Sequence, residues 1–147
     1  MRAVGSKFFL ICHCVVAVAG LTMKSVRAEV AVVVSSNSSL ANLTPSEVTE
    51  IFLRSSAELP SGRTLVPVDQ MEGSGIRNEF YEKVARKNAT QLRAYWARRV
   101  FTGKGEPPRE LPDANAVKRW VASNPYAVGY IDLAQADSTV KIVLMLR

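Results

Sequence analysis

Val30 to Val34 form an unbroken apolar run, mostly β-branched, the pattern of a strand with neither face in water. A polar loop, Ser35 to Ser39, closes it. Leu43-Thr44-Pro45-Ser46-Glu47-Val48 then places a capping hydroxyl, a proline at the first helical position and a glutamate three residues after the cap. Leu43 and Val48 are spaced as a hydrophobic staple, and the predicted helix continues through Ile51, Phe52 and Leu53, ending before Glu58-Leu59-Pro60. Thr64 to Val68 is a second apolar strand. It leads into Glu72-Gly73-Ser74-Gly75, from which a helix with Ile76, Phe80 and Val84 on one face runs to about Lys87. Asn88 and Gln91 repeat the capping pattern and open a helix with Leu92, Tyr95, Trp96 and Val100 on one side; Arg93, Arg98 and Arg99 read as its solvated side. Gly103 to Pro108 reads as an irregular loop. Asp113 caps a short helix carrying Val117, Trp120 and Val121, which Asn124-Pro125 ends. Val128 to Ile131 and Val140 to Leu146 are the last two strands, the latter apolar enough to be placed centrally.

Strands that alternate with helices and are too apolar to face water predict an α/β sheet covered on both faces. The first residues fall outside this pattern. Arg2 and Lys7 precede an apolar run from Phe8 to Met23, and Val26 and Ala28 stand at −3 and −1 of a cleavage site, so residues 1–28 read as a cleaved secretory signal peptide. The run is shorter than the ~20 apolar residues that span a bilayer. An exported chain, periplasmic in location, with a single domain over 29–147 is the expectation.

That leader changes the chemistry left to the domain. It holds both cysteines and the single histidine, so thiol catalysis, His-assisted nucleophiles and zinc sites with nitrogen or sulfur ligands are excluded. Four of the 19 basic residues lie in it, leaving 15 against 13 acidic ones, so the formal charge falls from +6 to +2 and nucleic-acid binding is not expected. The carboxylates lack calcium-loop spacing, and Ser74 lacks both the G-x-S-x-G frame and a base. The chain is read as a non-enzyme with no catalytic residues, metal site or cofactor.

Anion binding survives this pruning. A strand that delivers Gly73-Ser74-Gly75 to a helix start aims free amides and the positive end of a helix dipole at what stands in front of it. Ser74 adds a hydroxyl, the amides of Gly75, Ile76 and Arg77 follow, and Arg77 offers a guanidinium fork for phosphate-like geometry. The alternative is that Ser74 only caps its helix and Arg77 lies on the surface.

Three ordered blocks narrow the choice: Leu43-Thr44 with Glu50-Ile51-Phe52; Glu72-Gly73-Ser74-Gly75-Ile76 with Phe80; and Asn124-Pro125-Tyr126-Ala127-Val128-Gly129-Tyr130-Ile131. Together they resemble the central lobe of the periplasmic phosphate-binding proteins of ABC transporters. The resemblance implies a single lobe of a type 2 periplasmic binding protein, with a mostly parallel sheet and helices on both faces. It also implies a phosphate or similar oxyanion ligand at Gln70, Glu72, Gly73, Ser74, Gly75, Ile76 and Arg77. The chain departs from the family where Gln70 replaces an arginine, Ile76 a threonine and Glu72 an aspartate, and where the second lobe would stand. The expectation is weak oxyanion binding linked to phosphate transport, with a membrane transporter, an envelope sensor protein or a second copy of the chain as partner. The alternative is an interaction or sensory module that has lost its ligand.

Overall fold

The structure, a computed structural model, describes residues 28–55, 57–59 and 62–147. The expected signal peptide thus lies, Ala28 apart, outside the described residues. Among these, no helix is long and apolar enough to cross a membrane.

Strands β1 (Val30–Ser35), β2 (Ala57–Glu58), β3 (Thr64–Gln70), β4 (Arg109–Leu111), β5 (Ala127–Asp132) and β6 (Val140–Leu146) form one sheet of order β2-β3-β5-β1-β6, with β4 paired to β3. Helices α1 (Pro45–Arg54), α2 (Gly75–Ala85), α3 (Ala89–Phe101) and α4 (Ala114–Ser123) connect them. The five apolar residues of β1 alternate as a pleat requires. Val30, Val32 and Val34 join Val48, Ile51, Phe52, Phe80, Tyr81, Leu92 and Trp96 under α1 to α3, whereas Ala31 and Val33 join Val117 and Val121 under α4. Both faces are covered, and β1 is buried throughout.

The predicted helix starts are present. Thr44 accepts from the Glu47 amide at 3.2 Å while Glu47 accepts from the Thr44 amide at 2.8 Å. Asn88 and Gln91 make the same reciprocal pair. On the other face, α4 lies so close to β5 that a side chain on Gly129 would come within 2.6 Å of Val117.

Strand direction refines the expected mostly parallel sheet. β3 runs parallel to β4 and β5, and β1 runs antiparallel to both β5 and β6, so β3, β4, β5 and β6 share one direction. β1 and β2 run against them. The most apolar strand is thus antiparallel to both neighbours, because burial on two faces reports the helical layers and not the direction of the chain. One expectation is corrected: β6 is an edge strand, not a central one. Its apolar residues divide between the two cores, with Val143 and Leu146 in one and Val140 in the other, while Met145 is half exposed. Strands β2 and β4, two and three residues long, are additions; both lie in segments whose hydrophobic pattern is too short to declare a strand.

Candidate functional site

β3 ends at Gln70, and the chain turns through Met71, Glu72 and Gly73 into α2. Gly73 has φ +91°, a left-handed conformation that glycine adopts without strain. Ser74 is the N-cap: its amide donates to Met71 O at 3.1 Å, and its Oγ accepts from the Arg77 amide at 3.4 Å. The first bond of the helix ladder is Asn78 N to Ser74 O. The amides of Gly75 and Ile76 precede it and have no acceptor among the described residues. Beyond its chain neighbours and its own helix backbone, no atom lies within 4 Å of where a Cβ on Gly75 would stand, so packing does not require glycine there.

The side chains behind the turn are committed to one another. Gln70 is buried, donates through Nε2 to Tyr130 O at 3.1 Å and accepts from Ser74 Oγ at 3.2 Å. Arg77 is also buried, which corrects both of its expected roles, exposed surface residue and open fork. Its Nε pairs with Asp69 Oδ2 and its Nη2 with Glu110 Oε1, each at 3.2 Å. The demand for a cation comes from Asp69, which is fully buried on β3. Its carboxylate also accepts from the Gln70 amide, from Tyr81 Oη at 2.8 Å and from Tyr130 Oη. Phe80 stacks flat on Tyr130 at 3.9 Å, closing the group off from water.

Burial pushes the Asp69 carboxyl above its ordinary value, against the opposing pull of Arg77 and of the two phenols. Burial would lower the Arg77 guanidinium, but Asp69 and Glu110 raise it overall. Tyr81 and Tyr130 are pushed well above the phenolic range, first by burial and then by the neighbouring Asp69 charge. Arg77 therefore acts as the counter-ion of a buried carboxylate. A buried Asp, an Arg and two phenols drawn from β3, α2 and β5 lie too far apart in sequence for local spacing to connect them.

Glu72 is exposed and is met by a residue predicted to be solvated: Arg93 Nη1 on α3 lies 2.8 Å from Glu72 Oε1. The cation paired with the turn's own acid is thus Arg93. Of the other arginines on that helix, Arg99 leans on the rings of Tyr95 and Trp96 at 5.6 and 5.9 Å. Of the predicted site residues, the turn therefore exposes Glu72, Gly73 and Gly75, Ser74 and Ile76 are partly buried, with the Ile76 side chain against the core under α1 to α3, and Gln70 and Arg77 are turned into the fold.

No protein-family model matches the chain, and no curated protein matches it in sequence. Solved structures do share its fold. A protein from Clostridium perfringens, assigned as a phosphate ABC transporter substrate-binding protein and solved with bound phosphate, superposes with a TM-score of 0.61 at 21% identity. An ABC-type phosphate transport receptor from Vibrio cholerae gives 0.60 at 20%, and a candidate phosphate-binding protein from Planctomyces limnophilus DSM 3776 gives 0.56 at 18%. Each match covers 79% of this chain but only 45%, 46% and 41% of those proteins respectively.

Proposed function

We propose that this chain is an exported, non-enzymatic lobe of the phosphate-binding-protein type, periplasmic in location, that binds phosphate or a similar oxyanion weakly at the turn before α2. The observation that carries this reading is the open helix start. Two adjacent amides, of Gly75 and Ile76, lack acceptors among the described residues, and a Cβ added to Gly75 would meet no more distant group within 4 Å. The fold shared with structures of phosphate-transport receptors supports the same choice of ligand. Arg93, held at the turn through Glu72, is the cation assigned to the anion, since Arg77 is committed to Asp69 and Glu110. Glu72 is placed to accept a hydrogen bond from a protonated oxyanion.

Magnitudes limit the affinity. Each charge-assisted hydrogen bond contributes about 1.5–3 kcal/mol and the dipole less than about 1, against an association cost of about 4 kcal/mol or more. With two amides and one guanidinium the balance lies near millimolar affinity, about −4 kcal/mol. A membrane transporter, or a second copy supplying the facing wall, would tighten the site.

A specific observation favours the second reading, an interaction or sensory module without a ligand: the Ser74 hydroxyl already bonds Gln70. Titration of the protein with phosphate and with sulfate, followed by amide NMR, separates the two. Phosphate is expected to shift the Gly75 and Ile76 amides saturably. Gly75→Ala is expected to leave the fold intact, raise stability by about 0.4–1 kcal/mol, and weaken phosphate about tenfold by filling the approach to the amide. Amides that stay unmoved at about 50 mM phosphate, far above a millimolar constant, would leave the interaction module standing.

A further inference from the structure

The hydrogen bond between Ser74 and Gln70 has a fixed direction. Tyr130 O is a carbonyl and only accepts, so the Gln70 side-chain amide must face it with Nε2, at 3.1 Å. That turns Gln70 Oε1, also an acceptor only, toward Ser74 Oγ at 3.2 Å. Ser74 has one hydroxyl proton, and this bond takes it. One lone pair of the same oxygen accepts from the Arg77 amide at 3.4 Å. What remains on Ser74 Oγ is a second lone pair, which repels an anion.

Gln70 is in turn fixed from behind. It is 4% exposed at the end of β3, and its backbone amide donates to Asp69 Oδ1 at 2.8 Å. Tyr130 reaches it twice, through its carbonyl on Nε2 and through its Oη, 3.3 Å from the same backbone amide. If the Ser74 hydroxyl rotated toward an anion, Gln70 Oε1 would stay in the fold without the donor it has among the described residues. The bond gained would be offset by the buried acceptor left behind. The donors that remain for an oxyanion in front of α2 are the Gly75 and Ile76 amides and Arg93.

We infer that Gln70 sets the strength of the oxyanion site by holding the Ser74 hydroxyl proton away from it. Gln70 is a positioning residue, since it acts on the ligand through Ser74. The inference rests on the oxyanion reading of the turn and supplies a cause for weak binding there: a donor next to the two amides is held by the fold.

The test is a titration with inorganic phosphate, read in ¹H–¹⁵N spectra of the native chain, of Gln70→Met, and of Gln70→Met combined with Ser74→Ala. Gln70→Met keeps the length of the side chain and removes the acceptor. It is expected to tighten phosphate at the Gly75 and Ile76 amides about tenfold, through one charge-assisted hydrogen bond from the released hydroxyl. Adding Ser74→Ala is expected to abolish that gain. A gain that survives Ser74→Ala would overturn the proposal, because it would come from a loosened turn and not from the hydroxyl. A folded Gln70→Met that binds phosphate no tighter than the native chain would overturn it as well. The native chain gives a reading of its own should Gln70→Met not fold: the Gln70 side-chain NH₂ pair is expected to keep its position while the Gly75 and Ile76 amides saturate. A pair that moves in step with those amides would show the hydroxyl leaving Gln70 for the anion, against the proposal. Native amides that stay unmoved beside shifting ones in Gln70→Met would overturn the oxyanion reading of the native turn and support the hold of Gln70 on Ser74. Amides unmoved in all three proteins would overturn both.

Discussion

Asp69 shapes the site more than any residue of the turn. A fully buried carboxylate needs a cation and several donors, and it draws them from two other elements: Arg77 from α2, Tyr81 from the next turn of that helix, and Tyr130 from β5. This demand explains why an arginine one turn into a helix, a place suited to gripping a ligand, faces inward instead. Removing the carboxylate leaves the guanidinium buried with only the half-exposed Glu110 for a partner. Asp69→Ala is accordingly expected to lower unfolding free energy by about 3–5 kcal/mol in urea titration. Asp69→Leu combined with Arg77→Met is expected to recover most of that loss, because an apolar pair of similar volume leaves no buried charge unmatched. A double variant no more stable than Asp69→Ala alone would contradict this account.

Elements are placed by the two faces of the sheet. α1, α2 and α3 share one core, and α4 occupies the other alone, over Ala31, Val33, Val68 and Ile131. The close approach of α4 rests on Gly129, where a Cβ would stand 2.6 Å from Val117 Cγ1 and 3.2 and 3.3 Å from Val68 and Val121. These neighbours are buried side chains on a helix and a strand, with little room to give. Gly129→Ala is expected to cost about 1–3 kcal/mol by overpacking, read as a lower urea midpoint with an unchanged slope. Gly75→Ala is its opposite, a glycine whose surroundings are empty. Two glycines of similar appearance in sequence thus have different reasons, one internal packing and the other open space at a helix start.

At the scale of the whole molecule, the single sheet with covered faces makes stability sensitive to alkali. The phenols of Tyr81 and Tyr130 ionise well above their ordinary value in the folded chain, through burial and the charge of Asp69, and near about 10 when unfolded. A group whose folded value is raised contributes stability that is complete below the unfolded value and is lost as pH rises through the folded one. Unfolding free energy is therefore expected to fall above pH about 10, with two of the four tyrosines releasing their phenolic protons only as the chain unfolds. Urea titrations between pH about 8 and 11, combined with phenolate absorbance, check this. Tyr81→Phe should flatten the alkaline limb; an unchanged limb would point to lysines as its cause. The chain spans less than half the length of the structural neighbours it matches.

What the sequence alone determined was local. Periodicity located β1, β3, β5 and β6, the four helices and both capping boxes, because burial and capping act over a few residues and leave a pattern at that range. It also brought the chain to the turn before α2, whose strand-to-helix geometry follows from Gly73, Ser74 and Gly75 themselves. Strand direction, the edge position of β6 and the inward turn of Arg77 were decided only in the tertiary structure, as was Arg93 at Glu72. Each depends on groups from distant segments meeting across a layer. The electrostatic demand of one buried carboxylate exists only after the chain has folded around it.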